Sequence, residues 1–95
     1  MAIAVVLDFD GATLEQYDEV NAKLGFEPFG KARPGCLFHW VTATASGVRI
    51  VDVWESKEQF EKFGEEQIGP TAQAAGVPNA AQMQFLDVHN YQTGA

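Results

Sequence analysis

Two four-residue segments fix where helices begin in this chain: TLEQ at residues 13–16 and SKEQ at residues 56–59. In each segment a hydroxyl residue is followed three positions later by a glutamine, which is the spacing of a capping box at a helix N-terminus. Each segment also follows a run of residues that favour extended structure. A step from strand to helix is therefore predicted at both places.

The remaining patterns complete the order of elements. The predicted elements are strand 1 at residues 2–9, helix 1 at 14–24, strand 2 at 36–43, strand 3 at 48–55, helix 2 from Ser56 to a stop or kink at Gly69-Pro70, one further helical turn in TAQAAG, and strand 4 at 83–91. The order β-α-β-β-α-β predicts an α+β, ferredoxin-like fold with four antiparallel strands and both helices on one face. We expect a single domain over residues 1–95, with strand order 4-1-3-2.

Charge and cysteine content exclude several classes of function. The net charge is −7 and the six basic residues are scattered, whereas nucleic acids and anionic membranes require clusters of Lys and Arg. The segment before Asp8 has no basic region and is too short for a signal peptide or a membrane span, so we expect a cytoplasmic protein. Cys36 is the only cysteine, which excludes a disulfide framework within the chain.

The hairpin of strands 2 and 3 brings unusual residues together. A two-residue turn at Ala45-Ser46 places His39 opposite Asp52 and Leu37 opposite Trp54. Side chains paired in this way have Cβ atoms roughly 4.5–5.5 Å apart. A different turn length would break the pairing, because a shift of one residue turns every side chain of a strand to the other face.

Alternation along the strands divides the sheet residues into two sets. The apolar set contains Val5, Leu7, Phe38, Trp40, Val51, Val53, Leu86 and Val88. The mixed set contains Val6, Asp8, Leu37, His39, Ile50, Asp52, Trp54, Phe85, Asp87 and His89. We expect the apolar set to pack against the helices. The mixed set would form the helix-free face, where a second copy of the chain would cover it because it is too apolar to be left in water.

Two segments resemble a known family: PGCLFHWV before and within strand 2, and VDVWESKEQFEKF from strand 3 into helix 2. They are similar to the dimeric α/β-barrel superfamily, and in particular to its antibiotic-biosynthesis monooxygenase (ABM) domains. The resemblance covers essentially the whole chain. It implies a homodimer of facing sheets, with a ligand cavity between each sheet and its helices or along the barrel.

Two differences from the family's sequence patterns limit the activities that the resemblance implies. Haem-degrading members carry an iron-binding histidine on the second helix, and helix 2 here has none. Quinone-forming oxygenases carry an asparagine four residues before the tryptophan of strand 3, and that position here is Ile50. We therefore expect no cofactor and no metal, and oxygenation is only one of the chemistries implied.

The resemblance implies a cofactor-independent monooxygenase or a proton-transfer enzyme, such as an isomerase or cyclase, acting on an aromatic or polyketide-like molecule. His39 would be the general acid/base and Asp52 would orient its ring. Ligand-binding residues would be Trp54 as a stacking wall, with Leu37, Val6, Phe85 and His89. The alternative left open is a non-enzymatic homodimer, ligand-binding or structural, in which His39 and Asp52 are an inert buried polar pair.

Overall fold

A computed structural model describes residues 1–94 and shows the predicted order of strands and helices. The elements are β1 (Ile3–Asp10), α1 (Leu14–Leu24), β2 (Cys36–Ala43), β3 (Gly47–Trp54), α2 (Lys57–Phe63), α3 (Gly69–Ala74) and β4 (Gln82–Asp87). The strands form one antiparallel sheet in the order β2-β3-β1-β4. This confirms the ferredoxin-like arrangement and the strand order predicted from the sequence.

Both predicted helix starts are confirmed by their hydrogen bonds. The backbone N–H of Gln16 donates to the Thr13 hydroxyl at 3.1 Å, and the Thr13 N–H donates to the Gln16 side chain at 3.0 Å. The N–H of Gln59 donates to the Ser56 hydroxyl at 3.2 Å. These contacts satisfy N–H groups that have no partner inside a helix. Helix α1 then ends at Gly25, which adopts the left-handed φ of 82°.

The helix that begins at Lys57 does not stop at Gly69-Pro70 as predicted. A wider, π-helical turn precedes the proline, and the helix continues beyond it. A π-helical turn at Gly64–Ile68 joins α2 to α3, and the Gly69 N–H bonds to the Gly64 carbonyl five residues earlier. Pro70 therefore lies in the first turn of α3, a position at which helices tolerate a residue without a backbone N–H. The predicted kink is thus a π turn, and the predicted further turn is α3.

Strand β4 ends at Asp87, four residues before the predicted limit. Asp87 pairs with Ile3, the first residue of β1, so β1 offers no further ladder partner. After Asp87, one more backbone hydrogen bond is formed, from the N–H of Val88 to the carbonyl of Ala2. His89 therefore lies outside the sheet.

The predicted faces were right for β1 and wrong for β2, β3 and β4. Val5 lies directly opposite Asp52, and Leu7 lies opposite Ile50, so these residues share one face with His39. That face carries the helices: its core consists of Ile3, Val5, Leu7, Trp54 and Phe60, with Phe60 contributed by α2. Most of the mixed set is thus under the helices. The helix-free face instead carries Ala4, Val6, Asp8, Phe38, Trp40, Arg49, Val51, Val53 and Leu86.

The error lies in how the other strands were matched to β1, where both alternating sets are apolar. Val5 and Val6 differ little in character, so alternation alone does not say which of them faces the same side as Asp52. Val5 and Leu7 lie in the core and Val6 and Asp8 on the helix-free face, as predicted, whereas the side chains of β2, β3 and β4 lie on the faces opposite to those predicted. The hairpin register itself was right, with His39 opposite Asp52. A bulge between Cys36 and Phe38 places Cys36, rather than Leu37, opposite Trp54.

None of the helices in the described part of the chain has the length and apolar character needed to span a membrane.

We predict that Gly47→Ala destabilises the protein by about 2 kcal/mol or more, because added atoms in a tightly packed site force the backbone apart. A Cβ at this position would lie 2.0 Å from the carbonyl oxygen of Phe9 on the neighbouring strand. The measurement is urea unfolding. Gly64→Ala is the matched control, since Gly64 has an ordinary helical φ of −60° and open space around it. Equal stability of the two variants would contradict the close approach of β3 to β1.

Candidate functional site

A chain of hydrogen bonds crosses from α1 to the centre of the sheet. The Tyr17 hydroxyl lies 2.5 Å from Nε2 of His39, and Nδ1 of His39 lies 2.5 Å from Oδ1 of Asp52. The indole Nε1 of Trp54 donates to Oδ2 of Asp52 at 3.1 Å. We call these four residues, Tyr17, His39, Asp52 and Trp54, the relay.

Secondary structure places each member of the relay. His39 and Asp52 are direct cross-strand partners in β2 and β3. Trp54 follows Asp52 by two residues, so both point to the same face of the sheet. Tyr17 comes from the first turns of α1, directly after the capping box, and its ring lies nearly parallel to that of His39, with 12° between the planes.

The donors and acceptors of the relay follow from the groups themselves. An indole N–H can only donate, so Asp52 accepts from Trp54. With Asp52 ionised, Nδ1 of His39 carries the proton that Oδ1 accepts, and Nε2 of a neutral ring accepts from the Tyr17 hydroxyl. When the ring gains a proton, Nε2 donates instead and the Tyr17 oxygen accepts. The relay can therefore exchange a proton between Tyr17 and His39 with Asp52 in place.

Burial holds the inner half of the relay rigid. Asp52 is 5% exposed and Trp54 is 1% exposed. The indole packs against Phe60 and Phe63 of α2, with ring centroids 5.8 Å and 5.6 Å away. A buried carboxylate is costly unless its oxygens accept hydrogen bonds, and here each oxygen has its own donor. The carboxylate therefore fixes the orientation of the His39 ring.

The relay borders a cavity of about 640 Å³ between the sheet and the helical segment 57–74. This volume falls in the range of roughly 300–1,000 Å³ that small-molecule sites occupy. Its lining is mostly apolar and includes Leu7, Ile50, Phe63 and Phe85. Its polar groups are His39 and Asp52 from the sheet and Arg33 from the loop before β2, together with side chains from the helical segment that include Glu61 and Glu65.

A second, smaller space of about 50 Å³ lies beside α1 and is bordered by Tyr17. Phe9, Arg33, Ile50, Ile68, Ala72 and Val77 line both spaces. Tyr17 therefore borders the small space, His39 borders the large cavity, and the two spaces adjoin.

The structure brings together some of the predicted site residues and separates others. His39, Asp52 and Phe85 line the cavity. Trp54 is buried behind Asp52, where it supports the carboxylate and does not line the cavity. The remaining three lie elsewhere: Val6 on the helix-free face, Leu37 at the β2 bulge and His89 exposed beyond β4. The expectation that Val6 and His89 border the same space as His39 was wrong.

Sequence reasoning missed Tyr17 and Arg33. Tyr17 was counted only as part of the apolar stripe of helix 1. A tyrosine on a core-facing stripe needs a partner for its hydroxyl, and that requirement was the available signal. Arg33 lies in the loop between α1 and β2, where no local pattern distinguishes a buried arginine from an exposed one.

Within residues 1–94 no group of three His, Cys, Asp or Glu side chains is arranged to hold a metal ion. Cys36 lies near the relay, and its pKa is raised to about 12 by burial first and by the negative charge of Asp52 second. The thiol is therefore protonated at neutral pH.

We predict that Cys36 in the folded protein reacts with iodoacetamide at pH 8.5 at least about 100-fold more slowly than in the urea-unfolded chain, because only the thiolate reacts. Asp52→Asn should accelerate the reaction of the folded protein, since it removes the second cause of the raised pKa. Mass spectrometry of the alkylated protein measures both rates. Rapid alkylation of the folded wild-type protein would contradict the placement of Cys36.

A solved protein structure has a similar architecture. No protein-family model matches the chain, and no curated protein matches it. Among solved structures, it is similar to a monooxygenase from the gene ActVA-Orf6 of Streptomyces coelicolor, crystallised in complex with the ligand nanaomycin D. The two chains are 19% identical, the match covers 99% of this chain and 92% of the other, and the TM-score is 0.58. The resemblance to ABM domains predicted from the sequence is thus confirmed at the level of the fold.

Proposed function

We propose that this protein is an ABM-like, cofactor-independent enzyme that moves a proton on a small aromatic or polyketide-like substrate. The observation that carries the proposal is the relay at the edge of a mostly apolar cavity of about 640 Å³. An apolar cavity suits a flat aromatic body, and a few convergent polar groups suit one reacting position. The fold shared with a monooxygenase crystallised in complex with nanaomycin D supports a small-molecule substrate.

The step that the relay supports is removal of a proton from an acidic C–H or O–H group of the substrate. Both ring nitrogens of His39 are already engaged, Nδ1 by Asp52 and Nε2 by Tyr17. A substrate proton therefore reaches His39 in one of two ways. Either the substrate displaces Tyr17 from Nε2, or Tyr17 passes its own proton to His39 and takes the substrate's proton. In both cases Asp52 holds the ring and stabilises its charged form.

The resulting carbanion or enolate has two fates, which correspond to the activities that the fold resemblance implies. It reacts with dioxygen, as in a monooxygenase, or it is reprotonated or cyclised at another position. Proton removal is common to both fates, so it is the step to measure first.

A second candidate function is ligand binding without turnover. One observation favours it: every buried side-chain nitrogen and oxygen in residues 1–94 already has a hydrogen-bond partner. A fully satisfied polar network stabilises a fold without any catalytic role. The variants below distinguish the two functions.

We predict that Tyr17→Phe and His39→Gln each lower the rate of proton abstraction by roughly 10²–10⁴, the usual contribution of general acid–base catalysis. The probe is anthrone, a tricyclic aromatic ketone with an acidic methylene. Its exchange in D₂O under nitrogen is followed by NMR. In air, conversion of anthrone and dioxygen to anthraquinone and water is followed by absorbance.

The chain offers matched controls for both variants. Tyr91 and His89 are exposed and distant in sequence from the relay, so Tyr91→Phe and His89→Gln should retain the wild-type rate. Thermal unfolding of all four variants checks that each is folded. Wild-type exchange no faster than that of folded Tyr17→Phe would contradict catalysis and leave ligand binding as the function.

We also propose that the protein is a homodimer that pairs its helix-free faces. Phe38, Trp40 and Leu86 on this face are 48%, 44% and 48% exposed. Val51 lies between Trp40 and Val6 in the sheet, which makes the apolar surface continuous. Contiguous apolar patches on soluble proteins mark interaction sites. The dimer proposed here thus uses the apolar set of β2 and β3, not the His39 and Asp52 side of the sheet.

We predict that Trp40→Glu converts the dimer to a monomer, because it places a charge in the middle of the apolar surface. Native mass spectrometry and sedimentation measure the mass. Leu14→Glu is the control, since Leu14 on α1 is similarly exposed at 40% but lies away from the sheet. A monomeric wild-type protein would contradict this proposal without affecting the relay.

A further inference from the structure

Arg33 is a buried cation without an acidic partner. It is 5% exposed although it lies in the loop between α1 and β2. Within residues 1–94 the ion pairs join Lys23 to Glu19, His39 to Asp52, and Arg49 to Asp8, so no carboxylate lies within 4.0 Å of the Arg33 guanidinium. Buried charges in proteins are normally paired. The missing partner calls for an explanation.

Neutral groups hold the guanidinium in place. Nη2 donates to the Asn21 side chain at 2.6 Å. The group also lies over the Phe26 ring, 4.6 Å from its centroid, and 5.6 Å from the centroid of Phe63. These contacts orient the plane of the guanidinium but leave its positive charge uncompensated. A guanidinium has five N–H donors, and the donors left after the bond to Asn21 are on nitrogens that remain accessible, since every fully buried side-chain nitrogen in residues 1–94 has a partner.

The cation borders the same space as the relay. Arg33 lines the cavity of about 640 Å³ and also the adjoining small space. Asp52 is occupied by His39 and Trp54 rather than by Arg33. The other two carboxylates of the lining, Glu61 and Glu65, are exposed on the helical segment and form no ion pair with Arg33. A ligand in the cavity therefore meets a fixed cation at one place and the relay at another.

We infer that Arg33 recognises a carboxylate on the ligand of this cavity, so that the substrate class is an aromatic acid. The planar fork of an arginine matches the two oxygens of a carboxylate, whereas an ammonium group offers only a point charge. An anionic ligand supplies the partner that the buried cation lacks. The net charge of −7 disfavours anions in general, so a preference for them requires this local cation.

This inference deepens the proposed function and rests on it for the cavity as the ligand site. The test measures binding and not turnover, so the two ideas can fail separately. The probes are 2-naphthoate and 2-naphthamide, which share shape and size but differ in charge. Isothermal titration calorimetry gives both dissociation constants at constant pH and salt.

The expected result is that the wild-type protein binds 2-naphthoate roughly tenfold or more tightly than 2-naphthamide, in line with a hydrogen bond to a charged group. Arg33→Gln should remove this preference by weakening 2-naphthoate alone. Arg33→Lys should restore only part of it, because the lysine keeps the charge without the fork.

Lys57→Gln is the matched control for charge. Lys57 is exposed and its Nζ lies 4.6 Å from the centroid of Phe85, a residue of the cavity lining. If Lys57→Gln removes the preference and Arg33→Gln does not, the assignment to Arg33 is overturned.

Two further outcomes separate this inference from the proposed function. Equal binding of the two probes by the wild-type protein overturns the inference but leaves a ligand site and the relay intact. Binding of neither probe overturns both the inference and the cavity as a site for aromatic ligands. The comparison of probes on the wild-type protein decides these outcomes even if Arg33→Gln does not fold.

Discussion

The buried carboxylate of Asp52 is the constraint on which the rest of the structure depends. A carboxylate in the middle of a sheet and under a helix costs several kcal/mol if it lacks partners. The hairpin register gives it His39, and the spacing of two residues along β3 gives it Trp54. The indole in turn forms part of the core with Phe60. Trp54 therefore belongs both to the polar site and to the apolar core.

The helical segment over the sheet explains why space remains beside this carboxylate. The π turn at Gly64–Ile68 widens the helix where a regular turn would meet Pro70. Gly64 and Ile68 both line the cavity, and π turns occur often at functional sites. Small residues in this segment, such as Ala72 and Gly69, leave room above Ile50 and Phe85. The same irregularity that accommodates a proline thus helps to form a ligand-sized space.

Much of the fold could be predicted because its signals are local. Helix starts at Thr13 and Ser56 depend on contacts within four residues, and the pairing of His39 with Asp52 depends on one short turn. The face assignment failed for β2, β3 and β4 because β1 joins β3 through a long-range register. Both sets of β1 side chains are apolar, so no local signal showed whether Val5 or Val6 shares the side of Asp52.

The sequence by itself determined the order of the elements, both helix starts and the hairpin partner of His39. Only the tertiary structure decided that His39 and Asp52 lie under the helices, that Tyr17 completes the relay and that Arg33 is buried. Local hydrogen bonds and turn geometry act over a few residues and can be read along the chain. Burial of Tyr17 and Arg33 depends instead on how α1 and the following loop pack against distant strands, and that packing is settled only when the whole chain has folded.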